Sequence, residues 1–225
     1  MQLKSRLVAL FQKYKHAWVF LYFFIYMPWF TYLERREGSM KHYLIHSPLD
    51  DYIPFIEYFI VPYLLWFIFM AVMVLYFFFT NKKEFYDLFL FLALGMTIFL
   101  IISTFYPNGL ELRPTTFARD NIFVDMVKAL YASDTPTNVL PSIHVFNSVA
   151  IAIAAKRSKS LKKHPVWRFS CYIIAGLIVL STMFLKQHSV TDVVAAFVLI
   201  GILYQVIYAS QDRRHAATQK RPIIT

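Results

Sequence analysis

Between residues 54 and 80 the only charged side chain is Glu57, and between residues 85 and 104 the only one is Asp87. Each run is long enough for the roughly 17–25 residues that cross a hydrocarbon core. In that medium every backbone N–H and C=O must be satisfied within the segment, so such runs have to be helices. Four further apolar runs follow the same reading: residues 17–32, 142–155, 169–185 and 190–208, of which 142–155 is the shortest and carries His144 and Asn147 near its start. Hydrophobic residues make up 58% of the 225 positions and aromatic residues 19%, more apolar surface than a soluble domain of this size can hide. The expected fold is all-α, a polytopic membrane protein with six transmembrane helices. Neither an internal repeat nor a Gly/Ser linker divides it, so residues 1–225 are read as a single integral membrane domain.

The net charge of +10 is compatible with nucleic-acid binding only until its distribution is considered. With six spans and an inside N-terminus, most Lys and Arg fall on inner segments: Lys4 to Lys15, Lys82 and Lys83, Lys156 to Arg168, and Arg213 to Arg221. Acidic residues show the reverse bias. This positive-inside pattern places both termini in the cytoplasm and assigns the charge to anionic lipid rather than to nucleic acid. The N-terminal run has no small-residue cleavage site after it and reads as an uncleaved first span. Cys171 is the single cysteine, so no intrachain disulfide forms and the redox compartment stays open. Nothing in the sequence speaks to oligomeric state.

Two long loops fall on the outer face. The first, residues 34–54, contains Ser47-Pro48-Leu49-Asp50 and is expected to make turns and a short interfacial helix, more a connector than a route for substrate. The second, residues 105–140, opens with the turn signal Pro107-Asn108-Gly109, carries Arg113-Pro114, and has a short amphipathic helix expected at residues 121–131. His144 begins a span on the same face, and His188 joins the last two spans there. Asp192 follows His188 by one helical turn, on the same helix face.

These groups suit phosphoryl transfer, which needs an in-line nucleophile, cations around the phosphate oxygens and an acid for the leaving oxygen. His188 is the candidate nucleophile, with Asp192 taking the proton of one ring nitrogen so that the other faces phosphorus. His144 is the candidate general acid. Arg113, Ser142 and Lys186 are candidate phosphate ligands, through a two-pronged guanidinium, a hydroxyl at a helix start and a point charge respectively. Arg119, also on the outer loop, reads first as a solvated charge. Two histidines and an aspartate would equally serve as a three-ligand metal set. Arg113 and Lys186 nearby argue against a cation, so neither metal nor cofactor is expected. Ser142 lacks the flanking glycines of a serine hydrolase's nucleophile turn. A binding or transport protein built from the same groups would keep its activity without His188.

The arrangement resembles the type 2 phosphatidic acid phosphatase superfamily, whose motifs run K-x6-R-P, P-S-G-H and S-R-x5-H-x3-D on six spans. Here they stand as Tyr106-x6-Arg113-Pro114, Pro141-Ser142-Ile143-His144 and Ser181-Thr182-x5-His188-x3-Asp192, spanning residues 106–192. Tyr106, Ile143 and Thr182 replace the family's Lys, Gly and Arg, and Lys186 or Arg119 are the candidates to supply the missing charge, with Thr182 as a further site position. The resemblance implies a metal-independent lipid phosphatase that forms a phosphohistidine on His188. The expected substrate is a lipid phosphate at the extracytoplasmic face of the cytoplasmic (plasma) membrane. The departures look similar to the inositol phosphorylceramide and sphingomyelin synthase branch, which implies the alternative of a phospho-headgroup transferase.

Overall fold

The computed structural model describes Arg6, Ala9 and residues 11–36 and 41–213, and these are mostly helical. Lys4, Arg214, Lys220 and Arg221, which enter the charge argument, lie outside the described residues. A 3-10 segment, Lys15–Tyr22, runs into α1 (Phe23–Arg35). Helix α2 (Ile60–Thr80) and α3 (Lys82–Phe105) form a hairpin, followed by the shorter α4 (Ile122–Ser133) in the second long loop. Then come α5 (Ile143–Arg157), α6 (Pro165–Phe184) and α7 (Val190–Tyr204), the last continuing through a wider π turn at Gln205–Ala209.

Among the described residues four helical stretches are long and apolar enough to cross a membrane: Glu57–Thr80, Lys82–Phe105, Pro165–Phe184 and Val190–Arg213. The other two expected spans take a different form. Residues 17–32 are divided between a 3-10 and an α segment, and α5 is only 15 residues long. Large apolar side chains such as Phe24, Ile25, Ile68 and Phe79 point outward, more than half exposed, as suits helices solvated by lipid.

Helix starts follow capping chemistry. The Asn81 side chain accepts from the N–H groups of Lys83 and Glu84, and Asn121 does the same for Phe123 and Val124. Asn121 therefore explains why α4 starts where the amphipathic pattern does. Helix α5 occupies the centre of the bundle, packed against α2, α3, α6 and α7. Its approach to α3 depends on Gly95, where a Cβ would overlap the ring of Phe146.

The two long loops are more ordered than their composition suggests. Pro107-Asn108-Gly109 is not a free turn. Asn108–Gly109 pairs in parallel with Tyr43–Leu44, a two-residue strand pair that joins the two long loops and is the one departure from all-helical structure among the described elements. The reason is Asn108, which is fully buried. Its Oδ1 accepts from the N–H groups of Val139 (2.8 Å) and Leu140 (2.9 Å), and its Nδ2 donates to the Tyr106 carbonyl. The short helix expected in the first loop is a 3-10 turn, Pro48–Tyr52, closed by a reciprocal cap between Ser47 and Asp50.

Candidate active site

His188 and Asp192 meet because Ser189 caps α7. The Ser189 hydroxyl accepts from the Thr191 N–H, and the Asp192 carboxylate reaches back to the Ser189 N–H at 2.9 Å. This capping box puts Asp192 Oδ2 at 3.4 Å from His188 Nδ1, at the long end of hydrogen-bonding distance. Asp192 is fully buried and His188 nearly so, and Asp192 Oδ1 has no partner among the described residues. With Nδ1 protonated toward Asp192, the Nε2 lone pair of His188 is left to act outward.

His144 lies in the first turn of α5, and its ring centroid is 5.8 Å from that of His188. The other faces around it are aromatic, with Tyr63 at 4.7 Å and Trp66 at 4.5 Å. Ser142 is the N-cap of α5, its hydroxyl accepting from the Val145 N–H, while its own N–H donates to the Asp192 carbonyl at 3.3 Å. The starts of α5 and α7 are thereby joined backbone to backbone.

Arg113 reaches the same place. Its guanidinium donates to the carbonyls of Tyr131 and Asp134 and, at 2.6 Å, to the Gln187 side chain next to His188, and it covers the Tyr131 ring at 4.6 Å. The PAP2 superfamily model matches residues 88–216, a stretch that holds Arg113, both histidines and Asp192. The chain belongs to the PAP2 superfamily. No curated protein and no solved structure matches it. Membership brings activity of the phosphatase or phosphotransferase type to this PAP2 protein, and its apolar helices make it a membrane protein.

Three of the candidate site residues are engaged elsewhere. Lys186 ends α6 in the left-handed region (φ 53°), and its Nζ donates to the Asp50 carbonyl at 2.7 Å. Partial burial pulls the Lys186 ammonium below its usual range, against the opposing pull of Asp50 and Asp51. Arg119 pairs with Glu57 at 3.0 Å and lies over Tyr58; among the described residues it contacts neither histidine. Thr182 turns its hydroxyl onto the Val179 carbonyl of its own helix. Its backbone is what serves the site, because the Thr182 carbonyl accepts from the N–H groups of both Gln187 and His188. Among the described residues no three His, Cys, Asp or Glu side chains gather as metal ligands.

Sequence reading passed over Asp50 and Asp134. Asp50, buried in the loop taken as a connector, accepts from the Ser189 hydroxyl at 2.6 Å and from the Val190 N–H at 2.8 Å. It is a second carboxylate at the start of α7, where the helix dipole favours it. Ser47-Pro48-Leu49-Asp50 does carry a cap signature, but nothing in it names the helix on which the free carboxylate oxygen lands. Asp134 accepts from the Tyr63 hydroxyl at 3.4 Å. Burial pushes its carboxyl above the ordinary range, against the opposing pull of Arg113 and His188.

Proposed function

We propose that this PAP2 protein is a lipid phosphatase working through a phosphohistidine at the outer face of the plasma membrane. The observation that carries the reading is the His188–Asp192 pair with His144 one ring away. His188 Nε2 attacks phosphorus and the bond from phosphorus to the lipid oxygen breaks. His144 gives that oxygen its proton, and Asp192 stabilises the charge left on the imidazole. In the second half His144 takes a proton from water, the water oxygen attacks phosphorus, and the P–N bond breaks to release inorganic phosphate. Arg113 supplies positive charge beside the site and holds Gln187 against His188. The substrate is a phosphomonoester or diphosphate of a lipid. The 3-10/α segment at the N-terminus and α5 complete six spans with both termini inside, the arrangement the positive-inside bias supports.

A second reading is transfer of a phospho-headgroup to a lipid alcohol, as in the inositol phosphorylceramide and sphingomyelin synthase branch. It is favoured by the apolar cavity against His144, which offers an acceptor a place sheltered from water. Purified protein in EDTA, given a panel of lipid phosphates beside His188→Ala, separates the two. Phosphate release that depends on His188 is expected. Release that survives the substitution overturns the mechanism. Silence with lipid phosphates, together with headgroup transfer from a labelled phospholipid to diacylglycerol, selects the transferase.

A further inference from the structure

His144 forms part of the wall of a cavity of about 690 Å³ that opens between α1, α2, α4 and α5. Most of its lining is apolar, with the exposed Phe23, Met27 and Phe67 toward the lipid side. At its inner end the chemistry changes. Asn147 lies one turn below His144 on α5 and is 1% exposed, and Trp66 packs against the His144 ring. Asn147 Oδ1, Trp66 Nε1 and His144 Nδ1 are buried and have no hydrogen-bond partner among the described residues. Each such atom costs stability unless something in the cavity answers it. The indole N–H only donates and the Asn147 oxygen only accepts. A single group that satisfies both must itself donate and accept, as a hydroxyl does and an ester oxygen does not.

We propose that this cavity binds a lipid alcohol, its hydroxyl donating to Asn147 Oδ1 and accepting from Trp66 Nε1 while its chains lie among the apolar residues. The inference rests on the lipid-phosphate reading and adds the identity of its second partner. The lipid alcohol is the leaving group of the phosphatase reaction and the acceptor of the transferase reaction, so one site serves either direction. It also holds that oxygen near His144, since Trp66 packs on the His144 ring; the hydroxyl's one proton points to Asn147 while the alcohol is bound and turns to His144 for the exchange.

The test is binding to the full-length His188→Ala protein, measured as displacement of a fluorescent diacylglycerol. The competitors are 1,2-diacylglycerol and the same lipid with its hydroxyl methylated. The free alcohol should compete about tenfold better. Adding Asn147→Leu or Trp66→Phe should bring it down to the level of the methyl ether. Equal competition by the two lipids, binding of neither, or a preference that survives in both variants would overturn the proposal. Should either variant fail to fold, the comparison of the two lipids on the His188→Ala protein decides alone. Phosphate release by the same preparation tests the phosphohistidine separately, because turnover without His188 sinks that mechanism and leaves the binding result standing.

Discussion

The Ser189 hydroxyl donates to Asp50 Oδ2 across 2.6 Å, joining residues 139 positions apart and fixing the turn that presents His188. Asp50 also takes the Val190 N–H, and its carbonyl holds the Lys186 ammonium. On the proposed mechanism its carboxylate positions the nucleophile, His188, rather than touching phosphorus. Asp50→Asn should lower kcat about tenfold with KM little changed, and cost about 1–3 kcal/mol of stability through the weakened buried bonds. Steady-state kinetics on the folded fraction checks this. Unchanged kcat with lowered stability would confine Asp50 to a structural role.

Asp192→Asn keeps the size of the side chain but removes the charge that balances the imidazole. It should reduce kcat by about 10²–10⁴-fold. His144→Ala should do comparable damage with a lipid alkoxide as leaving group and much less with p-nitrophenyl phosphate, whose leaving group needs no proton. Parallel rates on the two substrates check the assignment, and an equal loss on both would remove His144 as the acid.

Gly95→Ala sets a methyl group against the Phe146 ring, in the interface that seats the helix of His144. Overpacking of this kind costs about 1–3 kcal/mol. Thermal stability in detergent should fall, and pairing the change with Phe146→Leu should restore part of it. A stable single variant would mean that α3 and α5 can separate without loss.

Burial raises the Asp134 carboxyl above its ordinary value of 3.8, so the folded state holds this proton more tightly than the unfolded chain. The cost to folding is absent below that value, grows as pH rises from it toward the folded value, and is fully present above the folded value. Asp134→Asn can still accept from Tyr63 and should raise the melting temperature by about 2–4 °C at pH 7. The gain should shrink as the pH falls toward 4. A gain independent of pH would place its cause outside this titration.

The chemical groups of the site were legible wherever their relation is local. Asp192 follows His188 by one helical turn, and the Ser-x-x-Asp cap that joins them lies within four residues. The four long helices announced themselves by hydropathy. What hydropathy leaves open is α5, fifteen residues long and largely buried by its neighbours, where length and composition alone do not mark a span. Lys186 and Arg119 looked like replacements for the missing family cations because charge and sidedness were all that could be read. Their engagement with the Asp50 carbonyl and with Glu57 spans 136 and 62 positions, and no local pattern encodes it. Asn147 and Trp66 were hidden for the opposite reason, since a lone polar group in an apolar run looks like a passenger until its neighbours are known.

A helix bundle accommodates a thicker or thinner bilayer mainly by tilting. In this protein the helix ends at the histidines are tied to one another. Asn108 grips the approach to α5, Ser142 is bonded to the Asp192 carbonyl, and Asp50 fastens the first long loop to α7. Changes in membrane thickness should therefore be absorbed toward the opposite ends, which would insulate the spacing between the two imidazoles from the surrounding lipid.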